Sequence, residues 1–334
     1  MQNLRFLYCL LLFGLLACQE ESQVQQPKQE LVLVAAPDFN ADSAYQFVAR
    51  QVAFGPRTPN SKAHQQCGDY LLETLSSFGL SVSVQNFTAT AYDGLQMNGR
   101  NIIGSFNPQA TRRILLAAHW DTRRLADKEK DESKRQQAID GANDGGSGVA
   151  VILEIMRTIH LAAEKPNIGI DVIFFDLEDD GVPEYQKFSG GNDADYWCHG
   201  SRYWSKNPHK AGYTAYYGIL LDMVGARNAQ FKKEGYSMQF AELIVEKVWA
   251  IAQKLNYGHY FLNQKSAGGV LDDHYFVNVN AKIPMIDIIE YDQHFGAYHH
   301  TLDDNLSLID PNTLKAVGQT VLQCLYQEAS LLGQ

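Results

Sequence analysis

The chain has 334 residues, 45% hydrophobic and only 20% charged, and its 38 acidic residues outnumber 28 basic ones to leave a formal charge of −10. This composition excludes a disordered or low-complexity chain, because there is ample apolar material for a core. It also argues against nucleic acid as the main partner, since no cationic excess exists to displace phosphate counterions.

Residues 1–17 (MQNLRFLYCLLLFGLLA) place Arg5 ahead of an apolar core, Phe6 to Leu16, that is too short to span a bilayer and stay. The run Leu15-Leu16-Ala17-Cys18 resembles the lipobox of bacterial lipoproteins, which implies cleavage before Cys18 and lipidation of its thiol. The polar stretch Gln19 to Glu30 has the composition of a flexible tether, expected over residues 18–38, ahead of a single catalytic domain over residues 39–334. No later apolar run is long enough to cross a membrane. The expected location is therefore the bacterial cell envelope, facing the periplasm, with the lipid as the only membrane attachment. Cys67, Cys198 and Cys324 remain after processing; they are widely spaced and odd in number, which predicts buried thiols rather than a disulfide framework.

Asp42 to Val52 and Ser61 to Phe78 read as helices, the second capped by Ser61 and closed by Gly79. Ser81 to Thr88 alternates like a half-buried strand, and Asn101 to Phe106 is a second strand. Ile114 to Ala118 (ILLAA) is continuously apolar, as a strand covered on both faces requires. A helix over 147–160 gathers Val149, Ile152, Leu153, Met156 and Ile159 on one face. Buried strands are predicted over 170–175, 218–224 and 284–289, and helices over 238–255 and 311–332. Alternation of this kind predicts an α/β fold, a three-layer α/β/α sandwich around a mixed, mostly parallel sheet. The segment Gly181 to Trp197 has no periodicity and reads as an active-site loop.

The reactive residue types gather just past the ends of the predicted strands. His119-Trp120-Asp121 follows ILLAA, and Gly141 to Gly148 (GANDGGSG) opens the next helix around Asp144. Asp176-Leu177-Glu178-Asp179-Asp180 follows the IFF run, Asp222 stands near the end of GILLDMVG, and His299-His300-Thr301-Leu302-Asp303-Asp304 lies beyond PMIDII. Taken singly, each has an ordinary reading: Asp144 as a turn residue, the acidic run as a solvated loop. Taken together they are metal ligands or acid–base groups on the sheet edge where open α/β folds bind ligands. Imidazole nitrogen with carboxylate oxygen, and no thiolate, suits Zn²⁺ in a catalytic role.

At these motifs the chain resembles the M28 zinc aminopeptidases, and within them the glutaminyl-peptide cyclotransferases, from about residue 42 to the C-terminus. Phe54 to His64 (FGPRTPNSKAH), His119-Trp120-Asp121-Thr122, Asp272-Asp273-His274 and His300-Thr301-Leu302-Asp303-Asp304-Asn305 carry the likeness. The resemblance implies Asp144, Asp179 and His300 as ligands of one Zn²⁺, Glu178 as general base, and Asp222 and Asp272 as acids networked with it. It implies conversion of N-terminal glutamine of peptides or proteins to pyroglutamate with loss of ammonia, and a monomer is expected. His119, Asp121 and Asp303 are expected to support the ligands; Trp197 and His299 are expected in the substrate pocket. His299 stands where animal cyclases have tryptophan, Asp179 replaces a common glutamate, and Ala118 replaces a bridging cysteine. Two rival readings use the same fold. A two-zinc aminopeptidase would bind one metal at His119, Asp144 and Asp222 and the other at Asp144, Asp179 and His300, with Glu178 activating water. A non-catalytic lipoprotein would bind peptides without turnover.

Overall fold

Apolar runs flanked by polar loops form strands here wherever both faces of the run can be covered. The computed structural model describes residues 31–187 and 189–331; the segment 1–17, Cys18 and the tether through residue 30 lie outside the described residues. The strands are β1 (Ser81–Thr90), β2 (Gln96–Phe106), β3 (Arg113–His119), β4 (Gly169–Phe175), β5 (Tyr217–Leu221), β6 (Phe231–Lys233), β7 (Phe261–Lys265) and β8 (Met285–Ile288). Six of them build the central sheet in the order β1-β2-β4-β3-β5-β8, while β6 and β7 pair apart from it. The β4–β3, β3–β5 and β5–β8 pairs are parallel, and β1–β2 and β2–β4 are antiparallel.

The helices are α1 (Ala41–Val52), α2 (Lys62–Ser77), α3 (Gly146–Leu161), α4 (His199–Lys206), α5 (Gly235–Lys254), α6 (Asp273–Phe276) and α7 (Pro311–Ser330). Strand alternation divides the core between two faces. Ile103, Leu115, Ala117, Ile173, Phe175, Leu220 and Met285 point to one side, where Trp204 of α4 and Val277 beyond α6 pack on them. α3 lies against the other side, with α1 and α7 against α3. Its close approach depends on Gly148, where a Cβ would come within 1.9 Å of the Leu221 carbonyl oxygen. The result is the expected three-layer α/β/α arrangement around a mixed, mostly parallel sheet.

Several sequence-based boundaries move; β2 begins at Gln96 rather than Asn101, and α5 at Gly235 rather than 238. β5 stops at Leu221 rather than Val224, because the backbone turns left-handed at Met223 (φ 49°). The domain also begins earlier than residue 39: the Gln323 amide donates to the Val34 carbonyl at 2.8 Å, the Gln319 amide donates to the Pro37 carbonyl at 3.0 Å, and Phe39 N–H donates to Gln319 at 2.8 Å. Residues 34–37 are thus tied along α7, and the compact unit starts at Leu33. The side chains that hold them are glutamines some 280 positions downstream, which no local pattern announces. Cys67, Cys198 and Cys324 are buried free thiols, as expected. Among the described residues no helix is long and apolar enough to cross a membrane.

Candidate active site

Parallel pairing brings the C-terminal ends of β3, β4, β5 and β8 to one edge of the sheet. Each strand runs at once into a polar loop: His119 to Asp121, Asp176 to Asp180, Asp222, and the turn leading to His299 and His300. Non-glycine residues adopt left-handed backbone at Leu177, Cys198, Met223 and His300, with φ between 49° and 58°. Such a conformation costs roughly 1–2 kcal/mol per residue, and here it swings Glu178, Asp222 and the His300 ring toward a common cleft.

His300 Nε2 stands 3.0 Å from Asp179 Oδ1 and 3.8 Å from Asp144 Oδ2. His119 Nε2 stands 2.9 Å from Asp144 Oδ1 and 3.2 Å from Asp222 Oδ1, so Asp144 joins the two groups. Asp144, His299 and His300 also bring their ligand atoms within 4.8 Å of one another, as do His119, Asp144 and Asp222. The donors fit a divalent ion. Asp179 Oδ2 is buried without a partner, and burial with the nearby Asp144 charge pushes the Asp179 carboxyl well above its usual range. A cation among these oxygens and the imidazole would offset both penalties.

Other carboxylates hold the loops that carry these candidate ligands. Asp121 accepts the backbone N–H of Glu178 at 3.1 Å and of Asp179 at 3.2 Å, and lies 3.6 Å from His119 Nδ1. Asp304 does the same on the facing loop, accepting Asn143 N–H at 2.7 Å and Asp144 N–H at 3.0 Å. Asp127 Oδ1 lies 3.6 Å from His300 Nδ1, on the side of the ring away from Asp179, and is gripped by Arg123 at 2.6 Å. Asp303, expected to orient this loop or the imidazole, is exposed, and its N–H bonds only the Thr301 hydroxyl. The neighbouring position carries the role, because the turn after His300 points Asp304 inward and Asp303 to solvent.

Glu178 sits between the candidate ligands and a second acidic group. The Cys198 thiol donates to Glu178 Oε1 at 3.1 Å, and Asp272 closes a cluster with both within 4.8 Å. Burial, reinforced by Asp272, Asp179 and Asp273 against the opposing pull of His119, holds the Glu178 carboxyl well above its ordinary value. Asp222 is lifted to about 7, chiefly by burial, although the His119 hydrogen bond opposes this. Behind them Asp272 caps α6, and His274 is paired with Glu234 at 3.1 Å.

The cleft encloses about 300 Å³ and is lined by Asp144, Glu178, Asp179, Asp222 and Asp272 on its acidic side. Trp197, Phe295, His299 and Ile289 supply aromatic and apolar walls. Trp197 lies parallel to His300 at 5.9 Å with the Arg123 guanidinium 4.8 Å from its ring centre. It closes over Gly181, where a Cβ would fall 1.8 Å from the indole. The loop predicted at Gly181 to Trp197 thus supplies cleft residues, including Val182, Glu184 and Trp197. Such a site can hold a cation and a substrate ammonium and can move a proton at Glu178. Sequence reasoning gave no role in the site to Asp127, Lys128, Cys198 or Asp304, although it named Cys198 as a buried thiol and Asp304 within the His-Thr-Leu-Asp-Asp motif.

Comparison with known proteins supplies the lineage. The profile of Peptidase family M28 matches residues 101–325. A solved structure from Parabacteroides distasonis, described as a Zn-dependent exopeptidase, is 53% identical, covers 87% of this chain and 99% of its own, and superposes with a TM-score of 0.84. Bacteroides thetaiotaomicron glutaminyl cyclase bound to N-acetylhistamine is 50% identical, with 87% and 99% coverage and a TM-score of 0.84. The glutaminyl-peptide cyclotransferase of Drosophila melanogaster is 24% identical over 274 residues, 76% of this chain and 72% of that one.

Proposed function

The chain belongs to peptidase family M28, and we propose that within it the protein is a glutaminyl-peptide cyclotransferase, closing N-terminal glutamine of peptides and proteins to pyroglutamate with release of ammonia. The observation that carries this reading is the half-identity to a glutaminyl cyclase along 99% of that chain, joined to a half-buried Glu178 set among acids beside the candidate ligand cluster. In this reaction the substrate brings its own nucleophile: the α-amine attacks the side-chain amide carbon, a C–N bond forms, and the amide C–N bond breaks. An α-ammonium with an ordinary pKa near 8 must first lose a proton. That first proton goes to solvent; Glu178 takes the second, which the attacking amine gives up as the new C–N bond forms, and delivers it to the departing nitrogen, so that ammonia leaves neutral. A carboxyl raised by burial suits both halves of this exchange. Asp222 and Asp272 favour the cationic amino terminus and crowd negative charge around Glu178. Zn²⁺ held by Asp144, Asp179 and His300 would polarise the amide carbonyl as a Lewis acid. Trp197 and His299 wall the space for the glutamine side chain.

The second reading is a two-zinc aminopeptidase, favoured by one specific observation: His119, Asp144 and Asp222 form a further metal-sized group. One experiment separates the two. The domain is incubated with a glutamine-initiated peptide and followed by mass spectrometry, with metal stoichiometry measured on the same sample. Loss of one ammonia from an intact chain supports the cyclase; a peptide one residue shorter plus free glutamine refutes it. We further propose that residues 1–17 are a lipoprotein signal and that Cys18 carries the lipid, anchoring a monomeric domain to a bacterial membrane from the periplasmic side. Detergent partition of the full chain against Cys18→Ser tests that reading.

A further inference from the structure

His299 is held as no packing residue needs to be. Its ring is stacked between Phe295, 4.1 Å away, and His300, 3.6 Å away, and its backbone N–H is bonded to the Gly296 carbonyl at 3.0 Å. At one edge, Lys128 Nζ approaches Nδ1 at 2.8 Å. Lys128 is itself fixed by Glu184 at 3.0 Å, by the Phe295 face at 5.5 Å, and by its backbone N–H to the His300 carbonyl at 3.2 Å. An ammonium has three donors and no acceptor, so the contact requires a lone pair on Nδ1. The ring proton must then lie on Nε2. That nitrogen faces the cleft beside the ligand group, 3.9 Å from Asp144 Oδ2, too far for a hydrogen bond. Its N–H is therefore left for something that enters the cleft.

We propose that His299 is a catalytic hydrogen-bond donor, its Nε2–H directed at the carbonyl oxygen of the substrate's side-chain amide, with Lys128 as the positioning residue that sets the tautomer. The proposal rests on the cyclotransferase reading, since it is the γ-carbonyl oxygen of glutamine that gathers charge when the α-amine attacks. A donor waiting where charge develops stabilises the transition state more than the ground state. An aromatic wall alone would be served equally well by phenylalanine, and would have no use for a lysine at its far edge.

The test compares His299→Phe, which keeps the stack and removes the N–H, with His299→Gln, which restores an amide donor, and Lys128→Met, which frees the tautomer. Wild type must first cyclise a glutamine-initiated peptide; if it does not, the cyclotransferase reading falls and this proposal falls with it, whereas failure of the variants alone strikes only this proposal. Given turnover, His299→Phe should lower kcat by about a hundredfold with metal content unchanged, and His299→Gln should recover at least about tenfold of that. Lys128→Met should fall between wild type and His299→Phe. Binding gives a readout independent of turnover, because the lactam carbonyl of a pyroglutamyl peptide is the same oxygen after reaction. Calorimetry should show that peptide bound about tenfold more weakly by His299→Phe. Unchanged kcat and product affinity in His299→Phe would overturn the donor. Metal lost from His299→Phe together with activity would overturn it too, by making His299 a ligand. Wild-type kcat in Lys128→Met would remove Lys128 from the proposal.

Discussion

Asp121→Asn removes one charge and one acceptor from a residue that is completely buried and touches no solvent. In the native protein its two oxygens each accept one backbone N–H, from Glu178 and from Asp179. Asparagine can accept only one of them, and its NH₂ is then pressed against the other N–H. Losing a hydrogen bond to a charged group costs about 1.5–3 kcal/mol, and leaving a buried donor unsatisfied about 1–3 kcal/mol more. Some relaxation of the loop will recover part of this, so a net loss of about 2–4 kcal/mol is expected. For a domain of about 300 residues that is a fall in Tm of about 3–6 °C. The scaffold effect is read by calorimetry on EDTA-treated protein, where metal binding cannot mask it. Because the same two N–H groups place Glu178 and Asp179, kcat on a glutamine-initiated peptide should also fall by at least about tenfold in metal-saturated protein. An Asp121→Asn variant with wild-type Tm and wild-type kcat would refute the claim that this carboxylate organises the loop.

Glu178→Gln should lose at least about a thousandfold in kcat while keeping its fold and its metal, as removal of a general base requires; metal loss measured by atomic absorption would count against that assignment. Asp127→Asn loosens the far side of the His300 ring, and metal affinity by competition with a chelator should weaken by about 10–100-fold; unchanged affinity would mean Asp127 serves only Arg123. Glu234 is held down to about 2, because the His274 hydrogen bond and the backbone N–H groups of Ser237 and Tyr236 outweigh its burial. A carboxyl lowered from 4.5 to about 2 contributes stability that is whole above pH 4.5 and is lost as pH falls through 2. Glu234→Gln should therefore cost about 3 kcal/mol near pH 7 and progressively less between pH 4.5 and 2. Denaturant melts at pH 7, 4.5 and 3 check this, and a difference independent of pH would contradict it.

What the chain makes legible on its own is whatever repeats locally. The run ILLAA must be covered on both faces, Ser61 caps α2 by accepting His64 N–H, and the apolar stripe of α3 fits a helix on a sheet. From these the layered fold follows, and with it the edge where His119, Asp144, Glu178, Asp179, Asp222 and His300 meet, because parallel strands carry their following loops to one side. Which carboxylate serves which partner does not repeat and so is not written locally. Asp303 and Asp304 are neighbours in one motif, and only the turn beyond His300 decides that Asp304 meets the Asn143-Asp144 backbone. Lys128 and His299 stand 171 positions apart and meet at 2.8 Å, fixing an imidazole proton that the two residue types alone leave undetermined. Docking of Val34 and Pro37 on α7 likewise depends on glutamines at the opposite end of the chain. Periodicity sets the backbone's elements, whereas the pairing of polar side chains between distant loops is set only when the sheet closes and buries them together.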